Sequence, residues 1–233
     1  MSRPRQTVTL TADLVILTIR DGVLCVLVVE RGNEPFAGRL ALPGGFLRGD
    51  ESLDQTAARE LSEETGMNAE KLVLRQVGVY SAPDRDPRRP RVVTCAYLAI
   101  APDLPLPAAG SDARSARWLP VAEAQRSGLA FDHDEILRDA VELARAELQF
   151  RTIATAFCGD EFTIGELHAV YEVIWGVKLD KPNFHRKVTE SDGFIVPTGG
   201  KRPTPNGRPA TLYRAGGATT LSPPMMRPRS TGA

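Results

Sequence analysis

Gly45, five residues, Glu51, seven residues, then Arg59-Glu60-Leu61-Ser62-Glu63-Glu64-Thr65-Gly66-Met67: this stretch decides the fold of the N-terminal half of the chain. Within it, Ser52-Leu53-Asp54-Gln55 has the form of a capping box, in which a serine and a glutamine three residues on satisfy exposed main-chain N–H groups reciprocally. Gly66 stands where a helix ends in a left-handed residue. The spacing predicts a helix over 53–65. On that helix Glu60, Glu63 and Glu64 stand at i, i+3 and i+4 and share one face, where like charges repel. A solvated acidic face would not account for Gly44-Gly45 ahead of the helix or Arg59 within it. A divalent cation offers a compensating charge. Mg²⁺ prefers carboxylate oxygens, shares its shell with substrate phosphates and lowers the pKa of an attacking water, so such a face can hydrolyse a pyrophosphate.

Every fixed position of a Nudix box is filled, and with the lead-in Leu42-Pro43-Gly44-Gly45-Phe46 the segment resembles the signature of the Nudix hydrolases. The resemblance implies a Nudix α/β/α sandwich with a mixed sheet. It further implies that Glu60, Glu63 and Glu64 ligate Mg²⁺ or Mn²⁺ and that Glu51 supports the loop or the metal shell. Arg59 would orient a glutamate by an ion pair, while Gly44 and Gly45 open the ligand loop. The stretch from Tyr80 to Val92 resembles the segment after the box in the branch that handles ADP-ribose. Its Arg85, Arg88, Arg89 and Arg91 are candidates to grip phosphates in bidentate fashion; a charged surface loop is the plainer alternative for any one of them. His133 invites a general-base reading, but Asp132-x-x-Glu135 is already a sufficient helix-start signal, and that reading is preferred.

Outward from the box, residues 14–19, an Arg20-Asp21-Gly22 turn and residues 23–29 read as a β-hairpin. β-type runs at 72–80, 92–100 and 116–120 complete a mixed α/β (α+β) domain. A helical pattern starts at Asp132, with Ile136, Leu137, Ala140, Val141 and Leu143 at three and four spacing, and continues through residues 153–157. The domain junction is placed near residue 150.

The chain has 233 residues, 42% of them apolar and 25% charged, which suits a folded protein. Its zero net charge hides an asymmetry. Residues 1–150 hold 18 basic and 22 acidic groups (−4), whereas 151–233 hold 11 and 7 (+4), which suggests different partners for the two halves. The apolar run 14–17 is too short to span a bilayer and no signal-peptide pattern precedes it, so no membrane partner and a cytoplasmic location are expected. Cys25, Cys95 and Cys158 have no CxxC spacing and read as buried reduced thiols.

In the basic half, Thr163-Ile164-Gly165-Glu166 is a second capping box, opening a helix whose inner face is Leu167, Val170, Tyr171 and Ile174 and which ends at Trp175-Gly176. Asp180 caps a second helix over 181–189. Phe184 and Val188 face inward there, leaving Lys181, Asn183, His185, Arg186 and Lys187 largely outward. Two β-runs, 194–196 and 210–213, flank a loop carrying Lys201, Arg202 and Arg208. This is the plan of a winged helix-turn-helix, whose second helix enters the major groove while the wing touches phosphates. From 178 to 214 the chain carries 8 basic and 3 acidic groups, net +5, the electrostatic part of DNA binding. A small basic domain that only packs or dimerises is the competing interpretation. Residues 216–233 are rich in Gly, Pro, Ser and Thr and are expected to be a disordered tail.

Glu166-Leu167, Val170-Tyr171-Glu172, Leu179-Asp180-Lys181, Asn183-Phe184, Arg186-Lys187 and the run from Gly207 to Arg214 resemble the C-terminal domain of the Nudix-related transcriptional regulators of NAD metabolism. Domains are thus expected at 1–150, 151–215 and 216–233. That resemblance implies a homodimeric repressor that senses ADP-ribose or a related nucleoside diphosphate derivative and binds a double-stranded DNA operator. Unlike many such regulators, this chain keeps an unbroken box, so Mg²⁺-dependent cleavage of ADP-ribose to AMP and ribose 5-phosphate remains open. The alternatives are a plain Nudix hydrolase whose C-terminal domain serves dimerisation, and a regulator of a different metabolite.

Overall fold

A computed structural model describes residues 6–66, 72–88, 90–100, 102, 113–204 and 207–228. The N-terminal elements are β1 (Val8–Arg20), β2 (Val23–Arg31), β3 (Leu40–Ala41), β4 (Gly44–Phe46), α1 (Leu53–Thr65), β5 (Val73–Tyr80), β6 (Arg91–Ile100), β7 (Ala113–Pro120), α2 (Val121–Ser127) and α3 (His133–Phe150). β1 and β2 meet at Asp21 and Gly22, both with left-handed φ (+48° and +74°), as a tight type I′ turn requires.

The strands form one mixed sheet in the order β3-β2-β1-β6-β5, with β4 added to β1 and β7 to β2. β1 runs parallel to β6, from Val8 opposite Arg91 to Leu17 opposite Ile100. Its pairing with β4 is antiparallel and places Thr11, Ala12 and Asp13 opposite Phe46, Gly45 and Gly44. The unbroken burial from Thr11 to Thr18 is that of a central strand covered on both faces, which explains an apolar run without alternation. On one face Ala12, Leu14 and Ile16 pack with Ala57 and Leu61 of α1. Asp13, pointing the other way by the two-residue period, reaches the first residue of α3. The helix α1 has the limits expected: Ser52 and Gln55 make both capping-box bonds, and Gly66 closes it at φ +70°.

The chain forms two units; among the described residues the second takes the β1–β2 turn (18–24), residue 102 and everything after Val141, so the main passage between units lies within α3. In the second unit the helical run beyond Phe150 is a 3-10 segment, Thr152–Phe157, rather than a continuation of α3. It is followed by α4 (Ile164–Trp175), α5 (Lys181–Glu190), β8 (Ile195–Thr204) and β9 (Gly207–Ala215). α4 has its full Thr163/Glu166 capping box and ends at Gly176, φ +67°. The core is aromatic: the Tyr171 ring meets Trp175 and Phe184 edge-on, at centroid distances of 4.8 and 5.2 Å. β8 and β9 pair antiparallel from Ile195 opposite Ala215 outward, and Phe162 pairs with Tyr213 as a third, one-residue strand.

Residues 216–228 do not behave as a disordered tail. Leu221 and Met225 are buried, and their main-chain N–H groups donate to the carbonyls of Phe150 and Gln149. Arg227 donates to the carbonyl of Trp175. Two well-spaced apolar anchors suffice to hold a segment whose composition alone reads as loop. Among the described residues no helix is long and apolar enough to cross a membrane.

Candidate functional site

α1 and the loop before it carry the first wall of a pocket of about 790 Å³ in the N-terminal unit, a volume suited to a nucleotide-sized ligand. Arg59 organises this wall. Its guanidinium holds Glu51 in a two-point bond (Nε to Oε1 2.7 Å, Nη2 to Oε2 3.0 Å), while Nη1 donates to Glu60 at 2.6 Å. Nη2 also reaches the carbonyl of Phe46, which ties β4 to α1. The Arg59 guanidinium pulls the Glu51 carboxyl down to about 2. Through Arg59, Glu51 is tied to the helix that follows it and to the Phe46 carbonyl of β4.

Gly44 is required by close approach to backbone, and a side chain at Gly45 would displace the carboxylate of Glu60. A Cβ on Gly45 would fall 1.8 Å from Oε1 of Glu60, and one on Gly44 would fall 2.5 Å from the carbonyl of Ala12. Glu60, Glu63 and Glu64 all line the pocket. Burial and the charges of Glu60 and Glu63 raise the pKa of Glu64, whose buried Oε2 has no hydrogen-bond partner among the described residues. A buried, unpartnered carboxylate oxygen beside two like charges fits a divalent cation. As the side chains stand, among the described residues no three acidic, His or Cys groups converge closely enough to ligate one, because Glu60 is turned to Arg59. Ligation by the three glutamates therefore needs Glu60 to exchange that contact or share it.

The opposite wall departs from expectation. Arg85 is 7% exposed and is held by Asp132 (Nε to Oδ2 and Nη2 to Oδ1, both 2.7 Å) and Asp13 (3.2 Å). It lines the pocket with its charge already matched, so as a free phosphate grip it is corrected to a brace. Asp13 is lowered: burial would raise it, but the bond to His133 and the charge of Arg85 outweigh that. His133, 4% exposed, accepts the main-chain N–H of Leu42 at Nδ1 (2.8 Å), which leaves its proton on Nε2, 3.6 Å from Asp13. Asp132, read from sequence as a helix-start residue, thus spends its carboxylate on Arg85. The pocket residues Asp13, Asp86, Arg31, Phe131 and His133 were not selected from sequence. A lone carboxylate in the apolar run around residue 13 was the available signal for the first.

Arg88 is paired with Asp86 (2.5–3.0 Å) and its guanidinium lies over Phe46 and Phe131, at 5.2 and 5.4 Å. Arg91 bonds the carbonyl of Ser81 and is not among the pocket-lining residues. Arg89 lies outside the described residues.

In the second unit Lys181, Asn183, His185 and Arg186 are exposed on α5 and Lys187 is half-buried, while Phe184 and Val188 face the core. Arg186 is held outward by Glu190 and Asn183, both at 2.9 Å. Lys201, Arg202 and Arg208 stand exposed on the strands of a hairpin longer than expected, rather than on a loop. Arg202 is tied to Glu166 (2.5 Å) and to the carbonyl of Glu161 (3.2 Å), so it fastens the hairpin to the start of α4.

Comparison with known proteins agrees with both halves. Residues 9–140 match the NUDIX domain family and 154–215 match the NrtR DNA-binding winged helix domain. The ADPR responsive transcriptional repressor NtrR of Acinetobacter baylyi is 32% identical over 88% of this chain and 81% of its own length. An ADP-ribose pyrophosphatase of Methanocaldococcus jannaschii is 39% identical over 49% of this chain and 64% of its own. Shewanella oneidensis NrtR in complex with a 27mer DNA is 33% identical with a TM-score of 0.76, covering 88% of this chain and 93% of that one. The NUDIX domain of the same protein, in complex with ADP ribose, gives 34% and 0.54 over 60% and 90%. With a Nudix sheet, a complete glutamate helix and a winged helix in one polypeptide, the chain belongs to the Nudix family, in its NrtR-type branch with a C-terminal DNA-binding winged helix domain.

Proposed function

We propose that this chain is an ADP-ribose-responsive transcriptional repressor of NAD metabolism that acts in the cytoplasm as a homodimer on a double-stranded DNA operator. The observation that carries the reading is the coexistence of a nucleotide-sized pocket walled by Glu60, Glu63 and Glu64 with a basic recognition helix. The relative that aligns along most of the chain is named for its response to ADPR, and the pyrophosphatase that aligns with half of it is named for ADP-ribose.

Residues 1–150 supply the ligand domain and 151–215 the DNA domain. Glu60, Glu63 and Glu64 would hold Mg²⁺ or Mn²⁺ once Glu60 shares its contact with Arg59, and the bound cation would supply neutralisation of phosphate charge and a more acidic water. Arg59 and Glu51 keep the glutamate helix against the Gly44-Gly45 loop, so the ligand meets a preformed wall. Lys181, Asn183, His185, Arg186 and Lys187 face the major groove, and Lys201 and Arg208 meet phosphates. ADP-ribose releases DNA only through unequal affinity for the DNA-bound and free states.

Mobility-shift titration with DNA from upstream of the chain's own gene tests this. The expected result is a salt-sensitive shift that ADP-ribose reverses; no shift at physiological ionic strength removes the regulator reading. A second reading, retained pyrophosphatase activity, is favoured by the complete set Glu51, Arg59, Glu60, Glu63 and Glu64. Chromatography for AMP and ribose 5-phosphate after incubation with ADP-ribose and Mg²⁺ decides it.

A further inference from the structure

Four guanidiniums line the pocket, and three of them have a carboxylate partner: Arg48 pairs with Glu63 (3.4 Å), Arg85 with Asp132 and Asp13, and Arg88 with Asp86. Arg31, at the end of β2, has no ion pair among the described residues. It is nonetheless fixed. Its Nε donates to the carbonyl of Pro35 (2.8 Å), Nη2 to the carbonyl of Asn33 (3.3 Å), and its guanidinium lies 4.6 Å from the centre of the Phe131 ring. The register shift between Val29 and Arg31 where β2 pairs with β7 is the kind of irregularity that re-aims a side chain. Arg88 rests over the same Phe131 ring, and burial together with the Arg88 charge lowers the Arg31 pKa.

Two guanidiniums stacked on one ring, with a carboxylate for only one of them, leave an excess positive charge in a half-buried place. The charges of Asp86, Asp13 and Glu34 reduce it, but among the described residues no carboxylate pairs with Arg31 to offset it fully. An anion entering the pocket would, and a guanidinium held by carbonyls and an aromatic face presents its remaining N–H groups without further ordering.

We propose that Arg31, which sequence reading did not select, joins Arg88 as the anion grip of the pocket and takes the phosphates of a nucleoside diphosphate derivative, a role that sequence reading gave to Arg85, Arg88, Arg89 and Arg91. This rests on the ligand reading above. It explains how one pocket holds an acidic metal wall and a diphosphate: the negative ligand is bracketed by the cation at the glutamates and by the two arginines.

The test is isothermal titration of ADP-ribose and adenosine into the full chain, the Arg31→Ala variant and the Arg31→Gln variant, with and without Mg²⁺. Gln keeps an amide donor for the Pro35 carbonyl, so it separates charge from loop anchoring. Both variants should lose roughly 10- to 100-fold in ADP-ribose affinity, persisting without Mg²⁺, with adenosine changed less than about 3-fold. An unchanged ADP-ribose affinity in Arg31→Gln, or equal loss of both ligands, overturns the grip. Failure of the unaltered chain to bind ADP-ribose would instead overturn the ligand reading.

Discussion

The main-chain N–H of Leu42 donates to Nδ1 of His133 across 91 positions of sequence, at 2.8 Å. That bond fixes the start of the Leu42-Pro43-Gly44-Gly45 segment to the first residue of α3. Replacing His133 by Ala leaves a buried N–H unpaired and should cost about 1–3 kcal/mol, read from chemical denaturation. Imidazole nitrogen shifts of the intact chain should show a protonated Nε2 and a bare Nδ1; the opposite tautomer would contradict the assignment.

Arg59 holds the Glu51 carboxyl at about 2, far below its ordinary 4.5, and this sets a pH window. A depressed carboxyl stabilises the fold fully above its unfolded value, and that contribution fades as pH falls from about 4.5 toward 2. The difference in melting temperature between the chain and its Glu51→Gln variant should therefore be constant from pH 7 to 5 and shrink below. A difference that grows on acidification would show that Glu51 is not the anchored group.

Arg186 is exposed on α5 and braced by Glu190 and Asn183. Arg186→Ala should weaken operator binding roughly tenfold and lower the slope of affinity against salt by about one unit. ADP-ribose binding should stay as it is. Equal loss of both ligands would show that the two functions are not carried by separate surfaces.

Gly165 lies in the first turn of α4, exposed, and a Cβ there meets only the Thr163 Oγ1 at an ordinary 3.6 Å. Gly165→Ala should stabilise the chain by about 0.5 kcal/mol, because the unfolded chain loses freedom and nothing clashes. Unchanged or lower stability would expose a constraint on that turn.

The parts of the molecule legible in sequence were those with local causes. Ser52, Gln55 and Gly66 delimit α1 within a few residues of themselves, and Thr163, Glu166 and Gly176 do the same for α4. The second wall of the pocket was not legible, because Arg85 finds its partners 47 and 72 positions away. A run of arginines looks alike whether its charges meet a ligand or a buried carboxylate. Arg85, Arg88 and Arg91 in fact have three different environments. Asp132 shows the same ambiguity from the acidic side, since one carboxylate serves a helix start or an ion pair equally well on paper.

The segment after Ala215 has a practical bearing. The match to the winged helix domain family ends at 215, yet Leu221 and Met225 are buried in the same unit and Arg227 donates to the carbonyl of Trp175, the last residue of α4. Anyone dissecting the DNA-binding half for crystallography or fusion should cut after residue 228. A fragment stopped at 215 would lose both buried apolar anchors and the Arg227 bond to the end of α4, and apolar surface exposed in that way favours self-association.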